Sequence, residues 1–432
     1  MGIERIAKMG AIEKHKIFDN INLYVIKDDK YKTVYTSAYV HRLLKREEVT
    51  FNSLLSKVLK MGTMSYPSLM ELSKYAESLY GCAFDVSTTK RANIQSLVSS
   101  VSTVADRFTG SDTQTSAYTL MLDLLFKPYV VSGSFCSDIV ASQKSNLKDD
   151  IDGLINDKRA YSSVRCLEEM CKGEPNAIVD IGYKEDIDDI DEKNLYKHYQ
   201  SIIFSSPIDI FVVGNVDAKA LAVFTKDYLK DFSFNISSVN VECSNSSVKE
   251  VKYIEDNLDV NQGKLAMGLR TGINIDHPDY YALLTANSIF GSGAHSKLFN
   301  NVREAMSLCY YAYSRLDKYN SLMLVGSGIE FDNFEKTKNA ILAELENVKN
   351  GNFTDDELAV AKEYIISTYR SCNDSPSMLV DYYMGSAFTP SLPDLDKACE
   401  KVALVTKEDA IRAFSNVSLD TVYFLNGKGD NK

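Results

Sequence analysis

Two segments about 210 residues apart end in the same way, and a repeat at that spacing predicts a duplicated domain. Ile190-Asp-Glu-Lys-Asn-Leu195 opens a helical pattern that leads to the apolar run Ile208–Val213 and then to Gly214-Asn-Val-Asp217. Val405-Thr-Lys-Glu-Asp-Ala410 opens a second one, leading to Thr421-Val-Tyr-Phe-Leu425 and then to Asn426-Gly-Lys-Gly-Asp430. A chain of 432 residues has room for two such copies.

The openings of the two halves point the same way. Apolar and polar residues alternate over Asn20–Lys27, Asp28-Asp-Lys30 can turn, and Tyr31–Val40 reads as a second strand. A helical stretch follows from Val49 to Met61, and Gly62 supplies a stop. Ser68-Leu-Met-Glu71 has the spacing of a capping box, in which each end residue bonds the other's backbone N–H; Gly81 ends that helix. In the second half Lys264–Thr271 reads as a strand, and Asp276-His-Pro278 starts a helix that ends at Gly291. Thr354-Asp-Asp-Glu357 caps another helix reaching Ser371. Adjacent strands separated by long helices predict an α+β protein, each of its two domains an antiparallel β-sheet packed with α-helices. The polar stretch 235–249 reads as a linker between an N-terminal domain over 1–234 and a C-terminal domain over 250–432.

Charge and composition exclude several function classes. The net charge of -11 argues against a nucleic-acid partner, which needs a basic face, and against an anionic membrane surface. The most apolar stretch, Tyr118–Phe126, is too short to span a bilayer and contains Asp123. Met1–Lys8 carries charges every few residues, so no signal peptide is expected. The eight cysteines are scattered without a Cys-x-x-Cys, which fits reduced thiols in a cytoplasmic protein. The histidines are His15, His41, His198, His277 and His295, and no two lie one helical turn apart. None forms a helical metal-ligand pair, and each reads as a surface or capping residue.

The second half carries a longer pattern. His277–Phe299 comprises a helix, a glycine loop and Ser296-Lys-Leu-Phe299; Arg303 follows, then Leu308-Cys-Tyr310-Tyr-Ala-Tyr-Ser314. This order resembles the C-terminal domain of pitrilysin/insulinase-type peptidases and of mitochondrial-processing-peptidase subunits. Phe353–Lys362 resembles the family's next helix, and Leu59–Thr63 with Glu71–Gly81 resembles the segment after its zinc motif. The resemblance runs from Ile21 to Gly427.

Active members of this family carry His-x-x-Glu-His, two imidazoles one turn apart on a helix with a Glu as general base. Aligned on Ser53-Leu-Leu-Ser-Lys-Val-Leu-Lys-Met-Gly-Thr63, Ser53 and Lys57 stand at the histidine positions and Ser56 at the base position. A serine hydroxyl is a poor neutral ligand, a protonated lysine offers no lone pair, and Ser56 cannot take a proton from metal-bound water near neutral pH. Asp150, in Lys144–Ile151, matches the third ligand, an acidic residue on a later helix. The alignment implies an insertion near 104–114 and an ion pair between Lys57 and Asp150. The degenerate motif therefore predicts no metal in this chain and no peptidase activity by the chain alone.

The resemblance carries over two further features. Arg303 and Tyr310 match an Arg and a Tyr that hold the substrate and stabilise the oxyanion, and a guanidinium and a phenol are suitable donors for that task. Taken by residues alone, Tyr310 equally reads as sheet lining beside Tyr311 and Tyr313. Phe84, Asp85, Val86 and Ser87 match the edge strand on which extended peptides add; a covered structural strand is the alternative. Family halves work in pairs, and the match to zinc-less bacterial members implies a partner chain with intact His-x-x-Glu-His that holds the zinc. It also implies a peptide or protein substrate and a role linked to modification of elongation factor P. A purely structural scaffold and an active peptidase using other ligands are the competing readings.

Overall fold

The computed structural model describes residues 12–239, 248–385, 388–389 and 391–427. They form two compact units. The first takes the described residues of Met1–Ile151, Asp180–Val241 and Cys372–Pro390; the second takes those of Asp152–Val179, Glu242–Ser371 and Ser391–Lys432.

The first unit is built on strands β1 (Ile12–Phe18), β2 (Ile21–Lys27), β3 (Thr33–Leu43), β4 (Ala83–Arg91) and β5 (Ile94–Val104), with a short hairpin, β6 (Val130–Val131) and β7 (Ser134–Phe135), set apart, and β8 (Ile208–Gly214) returning to the sheet. The six-stranded sheet has the order β1-β2-β8-β3-β5-β4. The second unit holds β9 (Lys252–Leu258), β10 (Gly263–Arg270), β11 (Cys309–Asp317), β12 (Leu322–Ile329) and β13 (Ser418–Gly427) in the order β9-β13-β10-β12-β11.

These two orders are one topology. In each unit the last strand to be made inserts between the first two of the common core. β8 runs parallel to β2 and antiparallel to β3, and β13 runs parallel to β9 and antiparallel to β10. The α+β class and the duplication expected from the sequence are both present. β1, which the alternation did not single out, is an extra edge strand on the first unit.

The sheets are mixed rather than purely antiparallel, because an inserted last strand must be parallel to one neighbour. β8 is buried along its whole length, as a central strand covered on both faces must be. On β2, Leu23 and Val25 enter the main core with Leu54, Leu120, Leu124 and Ile210. Asn22 and Tyr24 face the opposite side by the two-residue period.

Each unit is completed by a helix from the other half of the chain. Lys158–Met170 packs on β10 and β13 in the second unit, and Pro376–Met384 packs on β8 and β3 in the first. Glycine at 268 leaves room for a side chain of the first of these. A Cβ on Gly268 would lie 2.5 Å from the Met170 sulfur, so a larger residue would force the Met170 side chain to move. A buried arginine then fixes the helix. Arg270 donates to Asp420 at 2.8 Å and to Glu174 at 2.7 Å, and reaches the Met170 carbonyl at 3.3 Å. Removing Arg270 strands two carboxylates in a site where its own side chain is only 8% exposed. Arg270→Leu is expected to cost about 3 kcal/mol or more, because breaking a buried pair leaves uncompensated charge. Urea titration of the variant against the parent checks this; an unchanged midpoint would show that the arginine does not hold the helix.

Candidate functional site

The helix Arg46–Leu59 follows β3 and buries Val49, Leu54, Leu55, Val58 and Leu59 at helical spacing. Glu47 and Glu48 occupy its first turn, where the helix dipole favours acids. Ser53 and Ser56 point inward and are buried. Ser53 Oγ donates to the Asp180 carbonyl at 3.0 Å, and Ser56 Oγ donates back to the Ser53 carbonyl at 2.8 Å. The Lys57 ammonium is bonded to the Asp150 carboxylate, from the helix Ser137–Gly153. The ion pair expected from the alignment is thus present.

These residues do not fit the zinc ion that the family's active members hold. Both serine hydroxyls are committed to backbone carbonyls, and an ammonium stands where an imidazole would need a lone pair. Among the described residues no group of three His, Cys, Asp or Glu is placed to hold a metal ion.

A directed hydrogen-bond chain surrounds the helix. The His198 ring bonds Asn52 Oδ1 at 2.7 Å, Asn52 donates to Gln95 at 2.8 Å, and Gln95 donates to the Asp180 carbonyl at 2.8 Å. Asp180 O therefore receives both Gln95 and Ser53. Beside it, Gly182 has φ +94°, and a Cβ there would lie 2.7 Å from Thr50, so the loop can approach the helix only as glycine. His198 is not the surface histidine the sequence suggested. Burial pushes its pKa down to about 4, opposed by Glu48 and aided by Arg42. His41 departs from that reading too: it is 3% exposed and sits between Ser96 and Asp209. Neither departure was legible, because nothing local marks a histidine's partners.

Arg303 and Tyr310 belong to the second unit. Arg303 lies on a π-helical segment, Leu298–Ala305, a geometry that occurs often at functional sites. Its guanidinium stacks over Phe299 at 4.5 Å and lies 3.6 Å from Glu304. Burial raises the Cys309 thiol pKa, and the Arg303 charge acts the other way, which places Arg303 near the start of β11.

A β-bulge sets Tyr310. Cys309 opposes Ile329 and Tyr311 opposes Gly328, so Tyr310 is the extra residue. Tyr311 and Tyr313 lie flat on β12, where a Cβ on Gly328 or Gly326 would strike their rings at 2.5 Å or 2.6 Å. Arg159 caps both rings at 4.6 Å and 4.2 Å. Tyr310 escapes this layer and is 57% exposed. Its hydroxyl donates to Glu330, whose carboxylate holds the phenol pKa above the ordinary value.

Among the described residues the strand β4 ends its sheet and pairs only with β5. Val86 is buried and Phe84 packs on the core, while Asp85 pairs with Lys60 at 2.6 Å and Ser87 is exposed. The zinc-motif positions and β4 therefore sit in the first unit, and the Arg/Tyr pair in the second. The bulge and the π-helix were missed by sequence reasoning; neither has a local signature.

This two-unit α+β fold has known counterparts. A family profile described as "Peptidase M16 inactive domain" matches residues 189–365. "Probable inactive metalloprotease YmfF" of Bacillus subtilis (strain 168) is 33% identical over 410 residues, covering 94% of this chain and 96% of that protein. A conserved protein from Enterococcus faecalis V583 has a crystal structure that superposes with a TM-score of 0.90 at 25% identity, covering 98% of this chain and 100% of that one. The structure titled peptidase M16 inactive domain from Pseudomonas fluorescens gives 0.80 at 16% identity, covering 98% and 99%. The chain belongs to the M16, pitrilysin/insulinase-type, peptidase family, as a homologue of its inactive members.

The polar chain around Ser53 makes a pH prediction. A half-buried, neutral His198 titrates at about 4 in the fold and near 6.5 when unfolded, so its contribution to stability is complete above 6.5 and is lost as pH falls toward 4. His198→Gln is expected to flatten that acid limb in thermal melts taken from pH 7 to pH 4. An unaltered limb would mean that His198 is not the group responsible.

Proposed function

We propose that this chain is the non-catalytic subunit of a cytoplasmic M16 heterodimer. The partner chain carries an intact His-x-x-Glu-His and holds the zinc. This chain takes an extended peptide on the free edge of β4 by main-chain pairing, with Phe84, Asp85, Val86 and Ser87 as the contacting residues. It lends Arg303 and Tyr310 to the partner's reaction as donors toward the oxyanion.

One observation carries the reading. The zinc-motif side chains bond within the chain, whereas Arg303, on a π-helix, is partly exposed and Tyr310, at a bulge, is largely exposed, with its hydroxyl on the side chain of Glu330. The 33%-identical Bacillus subtilis relative, a probable inactive metalloprotease by name, supports a non-catalytic role.

A structural scaffold is the second reading, favoured by the bond from Tyr310 to Glu330, which occupies the phenol in the isolated chain. The two readings separate in a co-purified complex. Arg303→Ala should lower its peptidase kcat by about 10²-fold or more, the loss seen when one oxyanion donor is removed. A rate equal to that of the parent complex would leave only the scaffold. The link to elongation factor P is tested apart from this, by the intact mass of that factor from cells lacking the chain. Loss of its modification is expected, and an unchanged mass refutes the link.

A further inference from the structure

The first unit contains a second polar site that the reading above does not use. It lies on the face of the sheet opposite the main core, at the ends of β2, β3 and β8. There a cavity of about 420 Å³ is lined by Asp209, His41, Asn22, Tyr24 and Phe388, with Lys14 among its lining residues. This size is within the range of small-ligand sites.

Its floor is a buried carboxylate. Asp209 is 6% exposed and His41 3%. Asn22 Nδ2 donates to Asp209 Oδ1 at 2.9 Å. His41 Nε2 lies 3.3 Å from Asp209 Oδ2, and because a carboxylate only accepts, that nitrogen carries the proton. Ser96 Oγ bonds the other ring nitrogen at 2.8 Å and, with a neutral ring, is the donor there. Asn22 and His41 thus each bond one oxygen of the Asp209 carboxylate, and Ser96 bonds the far side of the His41 ring. Among the described residues no lysine or arginine forms an ion pair with Asp209. Lys14 Nζ instead sits over the Tyr24 ring at 5.2 Å.

The walls complete the chemistry. Tyr24 stacks on Phe211 at 4.7 Å, and Phe388 stands edge-on to His41 at 5.1 Å, so both rings are fixed. A buried anion beneath aromatic walls and beside an amide is the environment that favours an organic cation. We infer that this cavity binds a primary ammonium group on a short apolar arm, with Asp209 as its counter-ion and Tyr24 and Phe388 as its walls. A free alkylamine, a lysine side chain and a peptide amino terminus all present that chemistry. The inference does not depend on the heterodimer, because every residue it uses lies in the first unit of this chain.

Titration calorimetry on the purified full chain tests it with n-butylammonium, its neutral isostere 1-butanol, Nα-acetyl-lysine amide and diglycine as probes. Butylammonium should bind about tenfold or more tightly than butanol, a difference of ~1.4 kcal/mol. Binding by the acetyl-lysine amide and not diglycine identifies a lysine side chain as the source, and the reverse identifies an amino terminus. Asp209→Asn should remove the preference for the charged probe. Phe388→Ala, at the cavity wall, should weaken the ammonium at least severalfold even if the buried Asp209 variant fails to fold. Equal binding of butylammonium and butanol, or no heat from any amine, overturns the proposal.

Discussion

The pairing of each half's last strand into the middle of its own sheet is the constraint on which the structure depends. β8 bridges β2 and β3, and β13 bridges β9 and β10. Until that strand arrives, the first two strands of a unit have no common neighbour, and the sheet has an open gap rather than a core. About 180 residues separate β2 from β8, so closing the sheet bears the loop entropy of a long connection before any of its hydrogen bonds form. Burial of β8 on both faces offsets that cost. The helices packed over β8 and β13 come late or from the opposite half, so neither sheet is fully covered by the sequence that builds it.

This explains which parts of the fold were legible. Local signals worked where the physics is local. Ser68 accepts from the Glu71 N–H while its hydroxyl donates to the Glu71 carboxylate, so only half of the expected box forms there; Thr354 and Glu357 each accept from the other's backbone N–H, the full reciprocal pattern. The strands Ile208–Gly214 and Ser418–Gly427 were visible as apolar runs that end alike. The exchanged helix Lys158–Met170 was not assigned to a sheet, because an amphipathic stripe says that something is buried, not against what. Arg270, which bonds the helix end at the Met170 carbonyl, lies 100 residues away. The mixed character of the sheets was hidden for the same reason: strand direction is a property of pairing.

The candidate site divides in the same manner. Ser53, Ser56, Lys57 and Asp150 could be located through the family's motif, and the opposite charges of Lys57 and Asp150 foretold their pairing. What replaces a metal's cross-linking was not foretold. A zinc ion ties elements together by coordination, whereas here the Asp180 carbonyl collects Ser53 and Gln95, and Gln95 continues through Asn52 to His198. These are long-range hydrogen bonds between ordinary residues, and only the fold brings them together. The exposed Lys57–Asp150 pair contributes little by itself, of order 0–1 kcal/mol. The buried amide chain is the stronger restraint, because leaving any of its donors unpaired costs more than the bond itself provides.

The second unit shows why the Arg303 and Tyr310 geometry is not a by-product of sheet packing. Tyr311 and Tyr313 follow the regular pleat, lie on Gly328 and Gly326, and are held under Arg159. A regular strand would give Tyr310 the opposite face and a ladder position. The bulge instead removes it from register and leaves its ring in solvent, which exposes apolar surface and forgoes a pairing. The π-helix before it likewise departs from the α-helical bonding that the backbone prefers. Two adjacent departures from regular structure, each with a stability cost, carry the two residues that the family motif marks. Decay of a site would relax such departures, since nothing would oppose the gain in regular pairing. In the first unit the zinc-motif helix bonds Ser53, Ser56 and Lys57 internally, and the proposal that Arg303 and Tyr310 serve a partner rests on this contrast between the two units.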